Sequence, residues 1–209
     1  MKQALQVILL ALIILMGYLV IDSPMKKIRF DEEKEIRDKA VINRLIDIRT
    51  AQVAFKEKYG VHTASFDTLI TFIKEDSLPI VLKEGFLNDS MINAGMTENK
   101  AIELGLIIRD TTYVPVGDDL FEKGFAGDSL RYVPYAGTNQ FVMGAGSVTT
   151  ASKVTIQVFE AKTPFEVYLN GLDNQEIINL KARAKKYDRY PGIKVGDLEE
   201  ANNYAGNWE

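Results

Sequence analysis

The chain has 209 residues, of which 46% are hydrophobic and 26% are charged, and its formal net charge is -4. These values are ordinary for a globular domain with an extra segment, and the acidic balance argues against a nucleic-acid partner, which would favour a basic face. The sequence contains no cysteine and one histidine, His62, so disulfides, thiolate catalysis, sulfur-based metal sites and histidine cages are excluded. We therefore expect no cofactor, no metal site and no catalytic residue, and we expect the protein not to be an enzyme.

The first feature along the chain is an apolar segment, residues 3–21, that carries no formal charge. About 19 residues at roughly 1.5 Å each span about 28 Å, close to the hydrocarbon thickness of a bilayer. No small-x-small cleavage pattern comes after it, so we predict that residues 1–24 form a retained transmembrane helix of the signal-anchor type. A long cleaved signal and a buried core helix are the alternatives.

Two opposing signals bear on which side of the membrane the C-terminal domain lies. Lys26, Lys27 and Arg29 follow the apolar segment, whereas only Lys2 precedes it. By the positive-inside rule, this favours a cytoplasmic position for the part of the chain after the segment. A very short tail before an apolar run is instead typical of an anchor that exports the rest of the chain. We predict a single-pass protein of the bacterial inner membrane with a periplasmic C-terminal domain.

The next segment, residues 25–60, has the pattern of a long amphipathic helix. Its apolar side chains recur at steps of three and four residues, as in Val41, Leu45, Ile48, Phe55 and Tyr59. Gly60 fits the C-terminal cap. Pro24 either kinks one long helix or separates two. The apolar stripe either covers its own core or forms a surface for helix–helix assembly.

Residues 61–192 are predicted to form an α+β domain. Ser65 is placed as the N-cap of a second amphipathic helix that buries Phe66, Leu69, Ile70 and Ile73. Strands are predicted over residues 77–85 and 107–116, with a short helix over 98–104 between them. Further strands are predicted on either side of the turns at 136–139 and 161–164. The fold class is therefore α+β with an antiparallel sheet of about four or more strands.

A last helix is predicted to begin at Asn174, and residues 193–209 read as a polar C-terminal tail. The basic run from Lys181 to Arg189 reads either as a solvated helix end or as a site for an anionic partner. The tail contains acidic and amide side chains that read either as a solvated tail or as calcium ligands. These are Asp197, Glu199, Glu200, Asn202 and Asn203.

Three further features are candidate sites. Asp118 and Asp119, with Glu122 nearby, read either as a solvated turn or as an acid–base or cation site. Residues 144–147 are glycine-rich but lack the lysine of a phosphate-binding loop, so a turn is expected. Tyr132 and Tyr135 read either as core residues or as part of a surface that receives a partner.

The order of these parts resembles the type IV pilin and pseudopilin group. The resemblance covers about residues 3–75 and includes the stretch "IRTAQVAFKEKYGVHTASFDTLITF". It implies a helix that leads into a small domain with an antiparallel meander. The family's processing site and the glutamate near the start of its apolar run have no counterpart here, so no functional residue is carried over.

These observations predict a non-catalytic, single-pass membrane-anchored structural or scaffolding subunit of a bacterial envelope assembly. Its predicted partners are the lipid bilayer and other membrane proteins, through protein–protein interaction, with an oligomer possible and no nucleic acid. Gly17, Ala4 and Ala11 are the expected points of close helix contact. One alternative is a pilin-like filament subunit. Another is a membrane-tethered ligand-binding domain or enzyme that uses acidic residues.

Overall fold

A computed structural model describes the backbone of residues 2–209. Side chains are described for residues 25–80 and 82–209 and, before residue 25, only for Gln6, Leu9, Leu10, Leu12 and Met16. The helices in this part of the chain are α1 (Lys2–Tyr59), α2 (Phe66–Glu75), α3 (Asp89–Asn93), α4 (Glu98–Glu103), α5 (Val116–Leu120), a 3₁₀ helix (Gly127–Arg131), α6 (Phe165–Tyr168) and α7 (Asn174–Lys186). The strands are β1 (Ser77–Glu84), β2 (Ile108–Pro115), β3 (Val142–Thr149), β4 (Thr155–Pro164) and β5 (Gly192–Gly196).

The dominant element is α1, a single helix of 58 residues, which is about 87 Å long at 1.5 Å per residue. Pro24 lies within it, so of the two readings of this proline the structure has one continuous helix. The predicted cap is confirmed, because Gly60 adopts φ +76° and its N–H donates to the Lys56 carbonyl at 2.7 Å. Glycine adopts this left-handed conformation without steric cost.

The prediction of a membrane span is contradicted. Most side chains of the predicted anchor, residues 1–24, lie outside the described set. Over the residues that are described, no helix is both long enough and apolar enough to cross a membrane. The predicted transmembrane helix, signal anchor and single-pass inner-membrane location with a periplasmic domain are therefore wrong on this finding.

One hydrophobic core joins the second half of α1 to the rest of the chain. We call residues 61–209 the head. The helix contributes Val41, Leu45, Ile48, Ala51 and Phe55, all buried. The head contributes the buried face of α2, as predicted for Phe66, Leu69, Ile70 and Ile73, together with Phe159, Tyr168, Ile193 and Val195. The apolar stripe of α1 therefore covers the protein's own core from Val41 onward.

The predicted sheet of four or more strands is wrong. The described residues form a two-stranded antiparallel sheet, β1–β2, and a three-stranded antiparallel sheet in the order β3–β4–β5. Two segments account for the difference. The expected turn at 161–164 is the end of β4, because Lys162 and Thr163 pair with Lys194 and Ile193 of β5. The strand expected after that turn is instead α6.

The expected strand before the turn at 136–139 is also absent. Its residues form the 3₁₀ helix and then one isolated bridge between Tyr132 and Gln140. The strand after that turn is present as β3. The predicted helix over 98–104 and the strands near 77–85 and 107–116 correspond to α4, β1 and β2.

The end of the chain is folded against the head. Strand β5 pairs with β4, and Val195 also forms a bridge with Gly206. Trp208 and Tyr204 pack against the core. Residues 193–209 are polar in sequence, yet they complete the three-stranded sheet and cover one side of the core.

Candidate functional site

The first half of α1 is an exposed part of the molecule, judged by its described side chains. We call residues 2–29 the arm. Every described side chain of the arm is exposed, and Phe30 is the first described residue of α1 that is buried. Leu9, Leu10 and Met16 have about 60% of their surface exposed. Exposed apolar patches are typical of surfaces that interact with other molecules.

A charged segment separates the arm from the part of α1 that packs on the head. Within residues 31–39, three ion pairs link side chains four residues apart: Lys34 with Asp38, Arg37 with Glu33, and Lys39 with Glu35. Such pairs stabilise a helix that has no other support. Arg37 also donates to the carbonyls of Tyr168 and Asn170, both at 3.0 Å. The segment therefore fixes the direction of the arm relative to the head.

A polar cluster fastens the end of the chain to α1. We call it the latch: Arg49, Lys56, His62, Tyr204 and Glu209. Arg49 Nη1 lies 2.6 Å from Glu209 Oε1, and Lys56 Nζ donates to the Tyr204 hydroxyl at 2.6 Å. The latch joins residues that are 148 positions apart in sequence. It holds the segment that contains β5 and Trp208 against the helix.

His62 lies at the centre of the latch and is 7% exposed. Its Nδ1 faces the Gln52 carbonyl at 3.1 Å, and a carbonyl only accepts, so Nδ1 carries the proton. Nε2 then accepts from the Tyr204 hydroxyl at 3.1 Å. Burial, with a smaller contribution from the charge of Lys56, lowers the pKa of His62 to about 4. The imidazole is therefore neutral at pH 7 and acts as a structural hydrogen-bonding group.

The basic run of α7 forms a groove. We define the basic groove as the depression of about 480 Å³ lined by Ile178, Lys181, Ala182, Lys185, Asp188, Arg189 and Pro191. Both apolar and cationic side chains line it. Lys181 pairs with Glu166, whereas Lys185 and Arg189 form no side-chain ion pair within the described part of the chain. The groove combines apolar surface with the charges of Lys185 and Arg189, and it also contains the carboxylate of Asp188.

The acidic residues of the C-terminal segment do not converge on one point. Asp197 pairs with Lys194 at 2.6 Å, while Glu199 and Glu200 are exposed and point to no cation among the described residues. We call residues 197–200 the acidic loop. No group of three or more His, Asp or Glu side chains suited to a metal ion occurs in the part of the chain whose side chains are described.

Asp118, Asp119 and Glu122 are also separated. They lie in and after the short helix α5, with Asp118 and Glu122 beside a depression of about 240 Å³ and Asp119 beside a different one. The three side chains are partly or fully exposed. None of these three carboxyl groups is buried.

The remaining candidates have structural positions. Residues 144–147 lie in β3 rather than in the expected turn, and Leu198 packs so close to Gly144 that an added Cβ would lie 2.9 Å from its Cδ1. Tyr132 and Tyr135 are exposed. The guanidinium of Arg37 lies 5.3 Å from the centre of the Tyr135 ring. Gly17, Ala4 and Ala11 lie outside the residues whose side chains are described.

Sequence reasoning missed the latch and the acidic loop as structural units. Neither Lys56 nor Tyr204 lies in a recognisable motif, and no local pattern links a helix to a segment so far along the chain. The basic groove was partly visible, as the cationic run of α7, but its apolar lining includes Pro191, which lies beyond the helix.

Comparison with known proteins gives no relative. No family model, no curated protein and no solved structure matches the chain.

Proposed function

We propose that the protein is a non-catalytic structural subunit whose arms pack against the arms of other copies. The observation that carries this proposal is the exposure of Leu9, Leu10, Leu12 and Met16 on a helix that extends about 42 Å beyond the head. Contiguous apolar surface of this length is unfavourable in water. Packing against similar helices removes it from water.

The chemistry of the arm favours a second copy as the partner. Residues 3–21 carry no formal charge, so two arms side by side do not repel each other along this part. Leu9, Leu12 and Met16 succeed each other at steps of three and four residues and therefore share one face of the helix. The charged segment after the arm contains both signs, which permits staggered copies to form ion pairs.

The layout of a long helix with a small head also supports the filament alternative. A shape of this kind allows the arms of many copies to bundle together while the bulkier heads lie outside the bundle. In this chain the arm is a slender helix and the head is a bulkier domain, as such a bundle requires. A filament subunit is therefore the specific form of the proposal, with the arms in the core of the assembly.

Cysteine cross-linking in the expressing cells tests the proposal, because the chain has no cysteine of its own. Single variants Leu9→Cys, Leu12→Cys and Met16→Cys are oxidised and analysed for disulfide-linked dimers. We expect dimers at positions on the shared face. Phe86→Cys is the matched control, since Phe86 is an 80% exposed apolar residue of the head. Cross-linking of the arm variants no greater than that of the control would reject the proposal.

A further inference from the structure

The basic groove and the acidic loop have complementary chemistry. Lys185 and Arg189, which line the groove, are exposed, and Glu199 and Glu200 are exposed in the loop. Leu198 is flanked by the acidic residues; it packs against Gly144 on one side and remains 39% exposed. The groove is lined by Ile178, which is 57% exposed. An acidic segment with one partly exposed leucine is the kind of ligand that such a groove accommodates.

One chain cannot fill its own groove with its own loop. Pro191, in the groove, precedes β5, and Asp197, in the loop, comes directly after it. The five residues of β5 hold the two features about 17 Å apart in an extended strand. The strand is paired with β4 along its length, so this separation is fixed.

We propose that the basic groove of one copy receives the acidic loop of the next copy. Leu198 of one chain covers Ile178 and Ala182 of its neighbour, and Glu199 and Glu200 face Lys185 and Arg189. The two contacting surfaces differ, so the contact is heterologous and repeats from copy to copy, as a closed ring or as an open chain. This inference deepens the proposed assembly and rests on it only for the expectation that copies meet.

The other exposed acidic segment of the head fits the groove less well. Asp118 and Asp119 are followed by Leu120, but Leu120 is packed against the core of its own head. Leu120 is half-buried, whereas Leu198 is exposed. Asp118 and Asp119 therefore serve as a matched control for the charges of the acidic loop.

The test uses two full-length chains expressed together, one with Leu198→Cys and one with Ala182→Cys, distinguished by tags of different size. A disulfide requires a short distance between the two Cα atoms. Because the proposed contact brings Leu198 of one chain onto Ala182 of the other, oxidation is expected to give a disulfide between the two chains. Each variant expressed alone should give little dimer. Absence of the mixed dimer, or capture of other cellular proteins only, would overturn the inference.

Charge reversal then tests the chemistry. Lys185→Glu with Arg189→Glu on the Ala182→Cys chain should lower the yield of mixed dimer about tenfold, because like charges now meet. Adding Glu199→Lys and Glu200→Lys to the Leu198→Cys chain should restore it. Asp118→Lys with Asp119→Lys should leave the yield unchanged. A reversal without effect, or one that the compensating reversal does not rescue, would reject the charge pairing.

Failure of this inference is distinguishable from failure of the arm proposal. The Leu9→Cys cross-link is measured in the same charge-reversed chains. A persistent arm cross-link with no groove–loop disulfide overturns the inference and leaves the proposed function intact. A groove–loop disulfide without arm cross-links supports the head contact alone.

Discussion

At the scale of single residues, the latch depends on a neutral imidazole. His62 has a pKa of about 4 in the folded chain and about 6.5 when unfolded. Between these values the unfolded chain binds more protons than the folded one. Stability associated with His62 is therefore fully present above about pH 6.5 and is lost as the pH falls toward 4.

This difference predicts how the free energy of unfolding changes with pH. In denaturant titrations between pH 7 and pH 4, the wild-type chain should lose up to about 3 kcal/mol through His62. His62→Gln retains a side-chain donor but does not titrate, so its decline should be shallower by that amount. Parallel pH profiles for the two chains would show that His62 is not held neutral.

The hydroxyl of Tyr204 is the subject of the second residue-scale prediction. It accepts from Lys56 and donates to His62, so Tyr204→Phe leaves two partly buried polar atoms without a partner. We expect a loss of about 1–2 kcal/mol in urea unfolding. Tyr187→Phe is the control, since Tyr187 is 64% exposed, and it should be neutral. Equal stability of both variants would contradict the role of the latch.

At the scale of elements, the close approach of β4 and β5 depends on Gly196. Gly196 has φ +72°, and an added Cβ would lie 2.1 Å from the Phe159 carbonyl oxygen. Gly137 has a similar φ of +62° but open space around the same position. Comparing alanine at the two sites therefore separates steric overlap from backbone strain.

We expect Gly196→Ala to destabilise the protein by about 3 kcal/mol or more, and Gly137→Ala by about 1 kcal/mol. Thermal and urea unfolding of the two variants measure the difference. If both variants lose the same amount, the backbone approach between β4 and β5 is looser than described.

The elements that sequence reasoning located correctly are those with strong local signals. Helix α2 is predicted by its apolar period and by Ser65, whose side chain accepts from the Thr68 N–H. The start of α7 at Asn174 is indicated by similar capping and dipole signals. These features depend only on residues within a few positions of each other.

The errors arose where the partner is distant in sequence. Residues 161–164 contain Pro164 and look like a turn, but they remain extended because β5, about 30 residues later, pairs with them. The latch likewise requires Tyr204 to reach Lys56. Long-range pairing overrides local turn propensity, so the predicted sheet was wrong. The 3₁₀ helix and α6 were also wrongly predicted as strands, whereas α2, α4 and α7 were predicted as helices.

At the scale of the whole molecule, the head is stabilised by its own core and latch, whereas the described side chains of the arm are exposed. The two parts therefore differ in how their apolar side chains are removed from water. The head packs its core within one chain. The arm requires other apolar helices to cover it, and this asymmetry is the basis of the proposed assembly.

The most direct test is the mass of the full-length chain in solution as its concentration is raised, measured by sedimentation equilibrium. We expect oligomers for the wild type and a shift of Leu9→Lys with Met16→Lys toward the 23.4 kDa monomer, because charges on the shared face prevent arm packing. Leu82→Lys with Phe86→Lys, on exposed residues of the head, should still form oligomers. A wild-type chain that remains monomeric at every concentration would contradict the account.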